Sequence, residues 1–275
     1  MPGSSLLERI IAAYESVLVG YSGGVDSALV AVVAHRILGP DRSLAAIGVS
    51  PSLAREQYER AHEVAGRFGL NLVEVTTNEL SDPRYTANPR DRCYFCKHEL
   101  WSKLGALALE RGLAVVADGT NADDLNDHRP GLKAAREFVI RSPLFEAGYT
   151  KEDVRREARA LGIPRWDAPA APCLSSRVLY GLEVNPRRLR QVEQGEAFIR
   201  GLGISGDLRV RHRGDEARIE VAPSQFAAVR SGRDAIAARF TDLGFAKVAL
   251  DLAGYRRGSL LSDEESRVEY LVGEG

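Results

Sequence analysis

The residues of this chain best suited to chemistry are three cysteines and one glycine-rich loop. Cys93 and Cys96 form a C-x-x-C pair in "RDRCYFCKHEL" (90–100), and Cys173 stands alone in "APCLSSR". Such a pair serves as a redox dithiol, as half of a zinc site or as part of an iron–sulfur site. Beside three thiolates, tetrahedral zinc needs a fourth ligand, and His98 and His128 are at hand. Three thiolates on a [4Fe–4S] cluster leave one iron open, which hydrosulfide or a substrate can occupy. Three unrelated buried thiols are the plain alternative, since cysteine is often buried for packing alone.

"VGYSGGVDSALV" (19–30) is the more specific stretch. It ends an apolar, β-branched run and opens a helical one. Gly23 and Gly24 permit backbone conformations that side chains forbid. Backbone N–H groups, the Ser22 and Ser27 hydroxyls and the helix N-terminus can then surround an anion. The spacing is neither G-x-x-x-x-G-K-[ST] nor G-x-G-x-x-G, so neither a P-loop nor a dinucleotide fold is indicated. A carboxylate at Asp26 beside a phosphate calls for a metal ion between them, of which Mg²⁺ is the usual one.

The elements that must position these groups follow from hydrophobic period. Apolar runs at 16–22, 43–50, 71–77 and 113–120, with a shorter one at 138–144, read as strands, and helical patterns separate them. Thr150 three residues before Asp153 marks a capped helix start, and Gly162 its end. Alternation of this kind predicts an α/β fold: a parallel sheet with helices on both faces. The proline-rich stretch 163–186 reads as a functional loop, with a domain boundary at 180. Residues 181–275 then form a small α+β module: a helix over 187–203, two strands around "HRGDEA", one helix over 224–244, a strand at 245–252, and a loosely ordered tail.

The chain has 275 residues, 44% hydrophobic, with 37 basic against 38 acidic side chains. That is an ordinary globular composition with no broad basic excess, so nucleic acid is not the expected partner. No apolar run is long enough to span a bilayer, and the first residues lack a signal-peptide pattern. Thiols without an export signal place the protein in a reducing cytoplasm.

S-G-G-V-D-S resembles the PP-loop of N-type ATP pyrophosphatases, which split ATP between its α and β phosphates. The resemblance implies that Ser22, Gly23, Gly24, Asp26 and Ser27 hold pyrophosphate with Mg²⁺, and that Ser50 faces the adenosine. Four further stretches, "NPRDRCYFCKHELW", "ADGTNADDLNDHRPGLKAARE", "RSPLFEAGYTKEDVRREARALGIPRWDAPAAPCLSSRVLYG" and "LDLAGYRRGSL", look like signatures of LarE-type ATP-dependent sulfur transferases. The likeness runs from about residue 5 to residue 261. It implies an enzyme that adenylates the carboxylate of pyridinium-3,5-biscarboxylic acid mononucleotide, releases pyrophosphate and installs sulfur. The product is the thiocarboxylate precursor of the nickel-pincer nucleotide. Some members carry only the cysteine matching Cys173 and sacrifice its sulfur, leaving dehydroalanine. Others, like this sequence, add C-x-x-C, and their three cysteines ligate a [4Fe–4S] cluster; zinc stays open as another occupant. The family also implies a homo-oligomer, an external sulfur donor and other nickel-pincer biosynthesis proteins as partners.

From 187 to 213 there are seven arginines against three acids, Glu193, Glu196 and Asp207. Arginine forks suit phosphate oxygens, although a solvated strand face would read the same way. The resemblance assigns a small nucleotide substrate to Arg209, Arg211 and Glu196, with Glu193 one turn away, and places Trp101 near the active site. Ser175, Ser176 and Arg177 flank Cys173, where they can orient an acyl-adenylate. Asn121, Asp123 and Asp124 follow the fourth strand, as ligands or as helix caps. Three other classes stay open: a tRNA thiolase, an ammonia- or amino-acid-dependent PP-loop ligase, and a zinc-stabilised nucleotide-binding module without activity.

Overall fold

The structure, a computed structural model, describes residues 5–126, 131–168, 172–256, 258–261 and 267–273. The chain divides into two compact units. Met1–Asp82 and Asp91–Ala171 form the first, and Pro83–Arg90 with Pro172–Gly275 form the second. The division falls between Ala171 and Pro172 rather than at 180. The reason is local: Leu174, Ser175 and Val178 are buried, and Val178 bridges to His212 of the second unit's sheet.

In the first unit, β1 (Val17–Gly20), β2 (Ser43–Val49), β3 (Leu72–Thr76) and β4 (Val115–Ala117) pair in parallel, in the order β3-β2-β1-β4. The helices of this unit are α1 (Leu6–Ala12), α2 (Val25–Leu38), α3 (Arg55–Phe68), α5 (Arg92–Glu110), α6 (Gly131–Glu137), α7 (Pro143–Glu146) and α8 (Lys151–Ala160); a single turn, α4 (Pro83–Thr86), belongs to the second unit. Strand alternation sends side chains to both faces, and both are covered. Val17, Val19, Ala45 and Ile47 pack with α1, α2, α3, α7 and α8 in one core, while Leu18 and Ala46 pack with Trp101, Leu104 and Ala134 of α5 and α6 in another. The capping box at Thr150–Asp153 is present at the start of α8.

The fifth strand expected at 138–144 is not formed. A single bridge joins Ala117 to Arg141, and Pro143 opens the helical turn α7. Proline has no N–H for a ladder, and Val139 takes a positive φ of 54°, so the run cannot stay extended.

The second unit contains β5 (Leu208–Arg213), β6 (Glu216–Val221), β7 (Lys247–Asp251) and β8 (Val268–Val272), ordered β5-β6-β7-β8. Helices α9 (Pro186–Gly201), α10 (Phe226–Ser231) and α11 (Arg233–Asp242) accompany them. The helix expected over 224–244 is thus two, broken at Gly232, and the tail expected to be loose contributes strand β8. One sheet face is apolar: Leu208, Val210, Ala217, Ile219, Val221, Val248 and Leu250 share a core with Ile199, Ile236 and Phe240. His212 lies on that side too. Its Nδ1 accepts from the Gly214 N–H, which leaves Nε2 to donate to Gln191 Oε1, and burial pushes its pKa down to about 4. The other face carries the charges described next. No helix among the described residues is long and apolar enough to cross a membrane.

Candidate functional site

The residues expected to do chemistry fall into two sets, one in each unit. The first surrounds the turn from β1 into α2. Ser27 Oγ accepts from the Ser22 N–H at 3.1 Å, lies 3.1 Å from Ser22 Oγ and donates to the Gly24 carbonyl. From α3, Gln57 Nε2 donates to the Ser22 carbonyl at 2.6 Å. Gly23 has φ +72°, and a Cβ there would stand 2.7 Å from the Gln57 carbonyl oxygen. Gly119, after β4, comes so near the first turn of α2 that its Cβ would lie 2.5 Å from the Ser27 nitrogen. Glycine is therefore a steric requirement at both positions. The result is a tight, preformed loop at the carboxyl end of the central strand β1. In open α/β sheets, ligands bind where the chain order reverses, here between β1 and β4.

Asp26 sits in that crevice. Asn121, after β4, donates from Nδ2 to Asp26 Oδ1 at 2.7 Å. Burial raises the Asp26 pKa, the Asn121 hydrogen bond opposes this, and the nearby Asp124 carboxylate raises it further. Asp124 is itself buried, accepts from the Asn121 N–H and lies 3.4 Å from Lys151 Nζ. Two neighbouring carboxylates whose charges repel are a donor set that suits a hard, oxygen-seeking cation such as Mg²⁺. Of the residues that follow β4, Asn121 supports Asp26 directly, and Asp123 accepts from the Lys151 N–H at the start of α8.

Ser50, at the end of β2, donates to Glu79 Oε1 at 2.5 Å and accepts from the Ser52 N–H. Glu79 is 2% exposed, in the short turn Glu79–Ser81 after β3, and the sequence carried no signal for it. Trp101 is 1% exposed within the core beside Leu18 and Leu104. Lys97 Nζ lies 4.9 Å from the centre of its ring.

The second set gathers around Cys173. The Ser176 hydroxyl donates to the Cys173 carbonyl at 2.7 Å, and Arg177 Nη1 donates to it at 3.0 Å and also to Pro172 O. Arg177 grips Glu196 in a two-pronged pair, Nε to Oε1 at 3.0 Å and Nη2 to Oε2 at 3.2 Å. Glu196 also accepts from the Val210 N–H, so the inward register on α9 belongs to Glu196, while Glu193 is only partly buried. Arg211 reaches the Ser176 carbonyl, Ser259 and Glu220. Arg209 donates to the Leu208 carbonyl and lies over Tyr255. Burial first, and then the Arg177 charge, lower its pKa. Glu220, Ser259 and Tyr255 escaped sequence reasoning. A signal for Glu220 was present, since Glu216, Arg218 and Glu220 alternate along β6 opposite Arg213, Arg211 and Arg209.

Removing one partner of a buried pair leaves the other charge uncompensated, at a cost of about 3–5 kcal/mol. Glu196→Ala, which strands Arg177, is expected to lose stability on that scale in urea unfolding, with Glu196→Gln losing less. A loss below about 1 kcal/mol would mean that the pair behaves as an exposed one.

All three cysteines are thiols outside any disulfide: Cys93 is exposed, and Cys96 and Cys173 are half-buried. Among the described residues no three His, Cys, Asp or Glu side chains are gathered as a metal-binding group. Of the two histidines considered for zinc, His98 packs edge-on against Phe138, and His128 lies outside the described residues.

Comparison with known proteins supplies the remaining findings. A family model described as NAD synthase matches residues 7–88. An uncharacterized protein of Synechocystis is 45% identical over 258 residues, 92% of this chain and 95% of that one. The pyridinium-3,5-bisthiocarboxylic acid mononucleotide synthase of Lactiplantibacillus plantarum is 37% identical over 246 residues, 90% of this chain and 89% of the synthase. A glutamine-hydrolysing GMP synthase of Lacticaseibacillus rhamnosus is 31% identical over 206 residues, 67% of this chain but only 39% of that protein.

Proposed function

This chain belongs to the LarE-type family of PP-loop sulfur transferases, and on that premise we propose that it activates the carboxylate of a pyridinium biscarboxylate mononucleotide with ATP and then exchanges oxygen for sulfur. The observation that carries this reading is the match to the mononucleotide synthase along nine-tenths of both chains. The loop after β1 and the arginine set near Cys173 supply the two kinds of anion site such a reaction needs.

In this reading the ATP phosphates lie in the loop between β1 and α2, where backbone N–H groups and the Ser22 and Ser27 hydroxyls donate to them. Asp26, with Asp124 beside it, would hold Mg²⁺, which would supply neutralisation of the charge on the leaving pyrophosphate. Ser50 faces the adenosine. The substrate carboxylate attacks the α-phosphorus, the bond to the β-phosphate oxygen breaks, and an acyl-adenylate results. Arg177, Arg209 and Arg211 neutralise the anionic substrate, and Glu196 fixes the direction of Arg177. Arg209 suits that role, because an incoming anion relieves the burial and like charge that oppose its protonation. Cys173 is the thiol assigned to the sulfur step. Cys93 and Cys96 are the two further thiolates that would hold a [4Fe–4S] cluster with it, and zinc is the rival occupant.

The test has two arms. Pyrophosphate release should depend on both Mg²⁺ and the biscarboxylate mononucleotide, and a thiocarboxylate should form when a sulfur donor is present. Protein purified without oxygen should contain iron and sulfide rather than zinc. Release that ignores the biscarboxylate would overturn the substrate; colourless protein that cannot be reconstituted would overturn the cluster. Co-purifying RNA whose binding falls steeply with salt would point to a thiolase instead.

A further inference from the structure

Residues 83–90 leave the first unit, join the second, and return at Asp91. What they do there is specific. Tyr85 is buried, and its hydroxyl shares a hydrogen bond of 2.6 Å with the buried hydroxyl of Ser175, two residues after Cys173. Asn88 is fully buried and has a positive φ of 56°, a conformation that asparagine tolerates better than most residues. Its Nδ2 donates to the carbonyls of Leu179 at 2.8 Å and Val178 at 3.3 Å, and its own carbonyl accepts from the Gly181 N–H. Thr86 O accepts from the Val184 N–H at 2.8 Å. Four residues between 175 and 184 are thereby fixed by backbone or amide bonds to one short excursion of the chain, and a fifth contact runs through Ser175.

The segment so held carries Cys173 at the head of the tight turn Leu174–Arg177. Ser176 and Arg177 fix the Cys173 carbonyl from within the turn, and Glu196 and Arg211 fix Arg177 and Ser176 from α9 and β5. Tyr85 and Asn88 supply the restraint from the remaining side, through Ser175, Val178 and Leu179. An ordinary surface loop needs no buried, positive-φ asparagine to pin it. In sequence the same strap runs on within a few residues to Cys93 and Cys96.

We propose that residues 83–90 are a positioning strap for the Cys173 segment, with Tyr85 and Asn88 as positioning residues for the sulfur step. The consequence for chemistry rests on the function proposed above; the restraint on Cys173 does not. Tyr85→Phe deletes one hydroxyl, and Asn88→Gly deletes the amide while keeping the positive φ affordable. Site-resolved carbamidomethylation of the full chain by iodoacetamide, read by peptide mass, is expected to label Cys173 about five- to tenfold faster in either variant. Labelling of Cys93 should change by less than about twofold. Thiocarboxylate formation should fall about tenfold while the maximal rate of pyrophosphate release is kept, and Tyr85→Phe with Ser175→Ala should be no worse than either alone. Unchanged Cys173 labelling in the correctly folded Tyr85→Phe variant would overturn the strap. A wild-type chain that makes no thiocarboxylate would overturn the function reading and leave the labelling result to judge the strap.

Discussion

Asp26→Asn is expected to slow pyrophosphate release by at least about a thousandfold, close to 4 kcal/mol of lost transition-state stabilisation. Asparagine keeps the shape of the side chain, and its Oδ1 can still accept from Asn121 Nδ2, so the loop after β1 need not rearrange. Only the charge is lost. That charge is costly to the folded protein by itself, because burial and Asp124 both push the Asp26 pKa up. Folding stability should therefore stay the same or rise slightly, while the affinity for Mg²⁺ falls. A coupled pyrophosphate assay over a Mg²⁺ titration, with urea unfolding beside it, separates the two effects. Release within tenfold of wild type at saturating Mg²⁺ would remove Asp26 from the metal site.

Cys173→Ala is expected to cut thiocarboxylate formation by about a hundredfold or more, while pyrophosphate release changes only a few-fold. A group that acts in one half-reaction should leave the other nearly intact. Cys173 alone does not distinguish how the sulfur is supplied, and Cys93→Ala does. If all three thiolates act together, Cys93→Ala also loses product, along with iron. If Cys173 gives up its own sulfur, Cys93→Ala still yields one product per chain, and its spent form is lighter by the elements of H₂S. The exposure of Cys93 makes this substitution mild for folding. Full, repeated turnover by Cys173→Ala would overturn the assignment of the sulfur step.

Much of the shape of the loop between β1 and α2 is legible in the sequence because its requirements are local. Ser22, Gly24 and Ser27 interact within a few residues of one another, and a strand ending in glycines before a buried helix has few other uses. The capped start of α8 and the parallel sheet are legible for the same reason: capping and strand period are properties of short stretches. The fifth strand fails on a rule equally local, since Pro143 is visible in the sequence and outweighs an apolar run.

The chain by itself determined the ATP-type loop, the three thiols, the arginine-rich strand and the order of elements that carries them. Only the tertiary structure decided which groups are paired. Asn121 on Asp26, Glu79 on Ser50, Glu196 and not Glu193 on Arg177, and Tyr85 and Asn88 on the Cys173 segment are all distant in sequence. The reason is electrostatic as well as geometric. A charge in a sequence looks the same whether water or another side chain will satisfy it, and burial alone makes a partner obligatory. Trp101 is held in the core beside Leu18 and Leu104 by the helix that bears it.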